Sequence, residues 1–236
     1  MKEKIYLIPG LMTDERLWQR ITPLLKEYEL IHISIPASTD FDKMNEFLKK
    51  KFESEKKVNL LGFSLGGYIA TYFAIKNPSF INRLFIVAGT PSGTNEIEIK
   101  RRKQKLLQIE KKGFSTLSYE KALSLVEEKN KNDKELINIM IDMFTKLGEH
   151  EFTSQLTSTF YRKDLHKELK NLNFLIYYFF SKKDRLLNHK SIEKLEQMNL
   201  KHLRVILRDG TSHNIPLEDP FTLTKHIKEW MKSSLI

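Results

Sequence analysis

Residues Val58–Ala74 read VNLLGFSLGGYIATYFA, a serine set among three glycines where an apolar run of strand type meets an apolar run of helix type. Glycine is scarce, with nine in 236 residues, and Gly62, Gly66 and Gly67 crowd around Ser64. Gly62-x-Ser64-x-Gly66 between a strand and a helix predicts a sharp, strained turn. The two glycines remove Cβ atoms that would clash where strand and helix cross closely. Such a turn lifts the Ser64 hydroxyl above the sheet edge and aims the Leu65 N–H at the place where an oxyanion would form. The other reading is a tight turn that needs glycine and nothing more.

Outward from this turn, short apolar runs alternate with helical periods. Residues 4–8, 29–35, 57–63, 83–88, 173–180 and 202–207 read as strands buried on both faces of a parallel sheet. Phe41, Met44, Phe47 and Leu48 mark one helical stripe, and Leu223, Ile227, Trp230 and Met231 another. Asp219 can cap the last helix and Pro220 suits its first position. Trp18 falls on a helix face with Leu17 and Ile21 and reads as core rather than substrate contact. Pro23 predicts a break there, with Thr22 starting a new turn. The stretch from Ser92 to Leu172 lacks convincing strands. It carries helical patterns near 95–112, 118–129, 133–147 and 150–162, punctuated by Gly113 and Gly148. The expected organisation is therefore a core of residues 1–91 and 173–236 with a helical insertion at 92–172. No internal repeat or low-complexity linker interrupts it.

The chain has no cysteine, which excludes disulfides, iron–sulfur clusters and thiolate zinc sites. Its start lacks a long apolar segment, and no apolar run approaches the roughly 20 residues that span a bilayer, so the expectation is a cytoplasmic protein without a membrane span. The formal net charge of +10 favours acidic partners in general or reflects lysine-rich solvated faces. No nucleic-acid reader motif accompanies it.

A serine hydroxyl needs a base. Of seven histidines, His202 opens a strand at the opposite sheet edge, His226 sits in the last helix, His150 and His166 belong to the insertion, and His32 lies in a strand. His213 follows the last strand, in RDGTSHNIPLEDP, and opens on the edge of Ser64; His189 is its rival. Asp184, in FFSKKDRLL after the preceding strand, is placed to fix the tautomer of the base. Asp209 is the alternative acid, and an Asx turn the structural reading of Asp184.

Ser, Asp, His in this chain order and on these elements is the order of the α/β-hydrolase fold. The chain resembles that superfamily over essentially its full length, and within it the small lidded carboxylesterases that include the pimeloyl-carrier-protein methyl ester esterases. LIPGLMTDERLW (Leu7–Trp18), GFSLGG and SHNIPLEDP carry the resemblance. It implies a mostly parallel sheet of about six strands, Leu11 N–H as second oxyanion donor beside Leu65 N–H, and a helical cap over the site from about 94 to 165. It departs at Pro9-Gly10, where the family has His-Gly, at Ser212, where a glycine is common, and in lacking extra antiparallel strands at its start. The activity implied is hydrolysis of a carboxylic ester by a serine hydrolase, without cofactor or metal. Thioester hydrolysis, carbon–carbon bond cleavage or lyase chemistry, and a non-catalytic binding role are the alternatives. KRRKQKLLQIEKKG (Lys100–Gly113) holds seven basic residues and one acidic one. With Leu106, Leu107 and Ile109 turned inward, Arg101, Arg102 and Lys105 would face solvent and could steer an acidic acyl carrier protein, or form a plain solvated face.

Overall fold

The computed structural model describes residues 2–234. Six strands, β1 (Lys4–Ile8), β2 (Glu29–His32), β3 (Val58–Phe63), β4 (Ile81–Val87), β5 (Leu175–Ser181) and β6 (Leu203–Arg208), form one sheet in the order β2-β1-β3-β4-β5-β6. Every pairing is parallel. The period-two alternation divides each central strand between two apolar layers. Val58, Leu60, Leu84, Ile86, Ile176, Tyr178 and Phe180 pack into one. Leu61, Phe63, Phe85, Val87, Tyr177 and Phe179 pack into the other. Helices cover both faces, so these strands read as continuous apolar runs.

Helices α1 (Phe41–Lys51), α2 (Leu65–Lys76) and α6 (His189–Gln197) pack on the first layer. On the second lie α8 (Pro220–Lys232) and the start of α5 (Lys134–Ser158). The last helix follows its stripe: Leu223, Ile227, Trp230 and Met231 are buried and Asp219 caps it. Trp18 is core, 2% exposed, with Nε1 donating to His32 Nδ1 at 3.3 Å. Its segment forms two 3-10 turns, Glu15–Trp18 and Thr22–Leu24, with Pro23 in the second. The remaining helices are α3 (Glu96–Lys112), α4 (Tyr119–Leu123) and α7 (Ile215–Glu218).

Three expectations need correction. The strand expected over 29–35 stops at His32, because β1 ends at Ile8 and offers no further ladder partners after the last bond, Ile33 N–H to Leu7 O. Phe47 is 45% exposed, on the flank of a stripe that Phe41, Met44 and Leu48 bury. The helix expected over 118–129 is only α4 and a 3-10 turn at Glu128–Asn130, because the Glu127 backbone N–H is drawn to the Glu218 carboxylate. The helices expected at 133–147 and 150–162 are present as the two arms of α5, which meet at a non-helical Gly148 (φ 71°), and the second arm closes in a 3-10 turn at Thr159–Tyr161. Among the described residues no helix is long and apolar enough to cross a membrane.

A tight backbone approach lies at the start of α2. A Cβ on Gly66 would run into the carbonyl oxygens of Pro9 and Ile8, and one on Gly62 into the Gly66 carbonyl. Neither obstacle is a side chain that can turn aside. Gly66→Ala is expected to cost about 3 kcal/mol or more, lowering Tm by roughly 6–12 °C in a chain of this length, as measured by calorimetry.

Candidate active site

Ser64 sits between β3 and α2 with φ 51° and ψ −115°. That left-handed conformation is costly for a residue with a Cβ and persists only where its surroundings hold it. Here the Ser64 N–H donates to Val87 O at 2.9 Å, and the Ser64 carbonyl accepts from Tyr68 N–H at 3.2 Å. The strand and the first turn of the helix thus hold the bend from both sides.

The loops after β5 and β6 bring two partners to this point. His213 Nε2 lies 2.9 Å from Ser64 Oγ, and His213 Nδ1 lies 2.7 Å from Asp184 Oδ2. A carboxylate only accepts, so Nδ1 carries the ring proton and Nε2 is left to accept from the serine hydroxyl. Asp184 is fully buried, and its other oxygen, Oδ1, takes the Leu186 N–H at 2.9 Å. His189, the alternative base, instead has Nε2 2.7 Å from the Asp184 carbonyl and braces that loop. Asp209, the alternative acid, is on the surface and pairs with Lys182 at 2.8 Å.

Two backbone N–H groups beside the serine lack an acceptor among the described residues. In the loop after β1, Gly10 N–H donates to Thr13 Oγ1 and Met12 N–H to Gln155 Oε1, while Leu11 N–H has no partner. Leu65 N–H is the first of α2, where no preceding carbonyl can serve it. Both residues, with Ser64 and His213, line a cavity of about 600 Å³. Part of its wall comes from the helical segment between β4 and β5, through Leu117, Leu125, Met140, Met143, Phe144 and Leu156. The arrangement can deprotonate a hydroxyl while holding an anionic oxygen nearby.

The basic helix α3 departs from expectation. Arg101 and Lys105 face outward, but Arg102 turns into the cavity wall. Leu107, expected inward, is 51% exposed, whereas Ile109 is buried and Leu106 packs beside it. The helix is so charged that apolar spacing alone does not decide its orientation.

A buried network that the sequence reading missed supports the histidine loop. Glu127, in the insertion, accepts from Thr211 N–H at 2.7 Å, from Ser212 N–H at 2.9 Å and from Arg208 Nη1 at 2.8 Å. Arg208 also bonds Asp219 and the Ser181 hydroxyl, which donates to Ser212 O at 2.6 Å. Ser212, standing where a glycine is common in the resembling family, donates its hydroxyl to Glu218. Nothing in the local sequence marks Glu127, whose partners lie more than 80 residues away.

Burial alone would raise the Glu127 pKa, but Arg208 and the two loop N–H groups hold it at about 2. A carboxyl lowered in the folded state contributes stability above its unfolded pKa, near 4.3, and loses that contribution as pH falls toward 2. Glu127→Gln is therefore expected to cost about 3–5 kcal/mol at pH 7 and to lower kcat by loosening the His213 loop. In urea melts the gap to the wild type should narrow steadily between pH 4.5 and 2.5.

Comparison with known proteins agrees with this geometry. A family model described as alpha/beta hydrolase fold matches residues 13–112. A pimeloyl-[acyl-carrier protein] methyl ester esterase of Legionella pneumophila (strain Lens) is 23% identical over 222 residues, which cover 89% of this chain and 87% of that protein. A 2-succinyl-6-hydroxy-2,4-cyclohexadiene-1-carboxylate synthase of Enterobacter sp. (strain 638) is 29% identical over 108 residues, 42% of each chain. The structure of a thermophilic esterase from Thermogutta terrifontis superposes with a TM-score of 0.82 at 19% identity, covering 98% of this chain and 90% of that one. The parallel sheet, the glycine-flanked serine turn and these matches together show the α/β-hydrolase fold, with a resemblance to small carboxylesterases that have it.

Proposed function

We propose that the protein is a serine hydrolase that cleaves a carboxylic ester through an acyl-enzyme on Ser64. The observation that carries this reading is the chain of contacts Asp184–His213–Ser64 opening, beside two unengaged N–H groups, on one cavity. Ser64 Oγ attacks the ester carbonyl carbon as its proton passes to His213 Nε2. The carbonyl oxygen, now anionic, is held by the N–H groups of Leu11 and Leu65. The carbon–oxygen bond to the alcohol breaks and the alcohol leaves with the proton from His213. Water, deprotonated by the same nitrogen, attacks the acyl carbon and frees the acid and Ser64. Asp184 holds the ring orientation and stabilises the imidazolium throughout.

The insertion at 92–172 acts in this reading as a lid that sets the acyl pocket. Its apolar wall of Leu125, Met140, Met143 and Phe144 supports that role. A carrier-protein methyl ester is the substrate suggested by the name of the Legionella relative. The outward Arg101 and Lys105 would steer an acidic carrier protein, whereas Arg102 serves the cavity. Carbon–carbon bond cleavage or lyase chemistry on the same fold is a second reading, supported by the Enterobacter relative, which is named a synthase and matches 42% of the chain.

A fluorophosphonate probe is expected to label Ser64 alone, and Ser64→Ala to abolish labelling without loss of fold; mass spectrometry of the labelled peptide checks it. Asp184→Asn is expected to lower kcat on a p-nitrophenyl ester by on the order of 10⁴, and a loss of only a few-fold would sink the assigned role of Asp184. Charge reversal at Arg101 and Lys105 should lower kcat/KM for a carrier-protein methyl ester relative to a small ester, with a wild-type rate that falls as salt is added. An unchanged ratio removes the carrier protein from the reading.

A further inference from the structure

Two arginines in the cavity wall take no part in the chemistry above. Arg162 lies where the chain leaves the insertion, and its guanidinium sits 4.4 Å over the Tyr68 ring. Tyr68 is one helical turn beyond Ser64 and bonded to its carbonyl, so this cation lies one turn of α2 away from the serine. Arg162 Nη2 donates to Thr90 O at 2.8 Å. Its Nε is buried without a partner, and Arg162 makes no ion pair among the described residues. Arg102 reaches the same wall from α3, donating to Thr94 Oγ1 at 3.3 Å, and its nearest carboxylate, Glu98, is 3.9 Å away. Burial first, and then the charge of Arg102, push the Arg162 guanidinium down to about 10, which leaves it charged at neutral pH.

A half-buried guanidinium with a buried, unpartnered Nε calls for an anion, and the described residues supply none to Arg162. Around the cavity four cations, Arg102, Lys121, Arg162 and Arg185, face two carboxylates, Glu98 and Asp184, and Asp184 is tied to His213. Thr90 and Ser92, joined by a 2.9 Å hydroxyl contact, add polar atoms beside Arg162. The planar fork of arginine matches a carboxylate with two parallel hydrogen bonds.

We propose that Arg162 and Arg102 form a carboxylate subsite, so that the ester cleaved at Ser64 is anionic: a hemi-ester of a dicarboxylic acid, with its free carboxylate on the two guanidinium groups. The inference rests on the ester-hydrolase reading for its chemistry but not for its binding. The test pairs p-nitrophenyl hydrogen succinate, glutarate and adipate with p-nitrophenyl butyrate, valerate and hexanoate. At the best chain length the wild type should favour the anionic ester by tenfold or more in kcat/KM. That ratio should fall roughly 10- to 100-fold in Arg162→Gln and in Arg102→Gln and recover in part in Arg162→Lys. Arg162 also holds Thr90 O, so Arg102, whose side chain is partly exposed, guards against a mere folding defect. A ratio near one in the wild type, or one that neither glutamine variant changes, overturns the inference. So does a ratio near one accompanied by an Arg162-dependent rate on a carrier-protein methyl ester, which would give the cation pair to a phosphodiester. In a second arm, calorimetry follows monomethyl glutarate binding to Ser64→Ala with and without Arg102→Gln. Arg102-dependent binding in a protein whose wild type cleaves neither ester keeps the subsite and removes the ester-hydrolase reading. No such binding and no cleavage removes both.

Discussion

The close approach of the backbone at Gly66, where a Cβ would collide with the carbonyls of Ile8 and Pro9, sets the geometry of everything around the cavity. It lets α2 begin directly against the end of β1, closer than any side chain would permit. Because helix and strand are this close, the single residue between β3 and α2 must turn sharply, and Ser64 takes the left-handed conformation as the cost. The same closeness brings the loop after β1 alongside the first turn of α2, so that Leu11 and Leu65, 54 positions apart in sequence, line one cavity. A larger residue at position 66 would push the loop away and part the two N–H groups along with it. The fold and the proposed chemistry thus depend on one backbone contact.

The helical segment between β4 and β5 is bound to this frame unevenly. Its middle is held by Glu127 on the histidine loop, and α5 is held by Gln155 on Met12 and by Arg20 pairing with Asp133. Leu136, Ile139, Met140 and Met143 on α5 extend the core layer that contains Trp18 and Trp230. Helix α3 has only Ile109 buried, in a small cluster with Met12, Phe152 and Leu156. Local stability follows buried apolar contact, so α3 is the part of the wall most free to move. Elements that bind the histidine and oxyanion loops stay fixed, while the element that carries Arg102 and the outer basic residues can yield to a ligand.

What the sequence made legible follows from range. All six strands and the turn at Ser64 could be located because apolar runs and glycine spacing are local signals. The meeting of Ser64, Asp184 and His213 could be anticipated because parallel strands open their following loops on one edge. Glu127, Gln155 and Arg162 could not, since each acts through partners that only the folded chain brings near. The orientation of α3 was misread for a related reason: a helix charged on every side has no dominant apolar stripe, so Arg102 turns inward and Leu107 outward by virtue of the cavity and of α5. Ser212 and Pro9, departures from the resembling family, become intelligible only beside Glu218 and Gly66.

His166 shows why residue types and hydrogen bonds do not by themselves make a site. Its Nδ1 lies 2.7 Å from Asp164 and its Nε2 3.0 Å from the Ser191 hydroxyl, a serine–histidine–aspartate chain as tight as the one at Ser64. Yet Ser191 is 3% exposed and His166 2%, and neither lines the cavity. Ser191 lies in the first turn of α6, its own N–H bonded to Asn188 O, and its hydroxyl faces His166 in the interior rather than a cavity. The Lys194 ammonium, 2.9 Å from Asp164, draws that carboxylate toward a surface ion pair. This second chain fastens the end of the insertion to α6. What separates Ser64 from Ser191 is the strained turn, which lifts one hydroxyl off the helix and into a cavity.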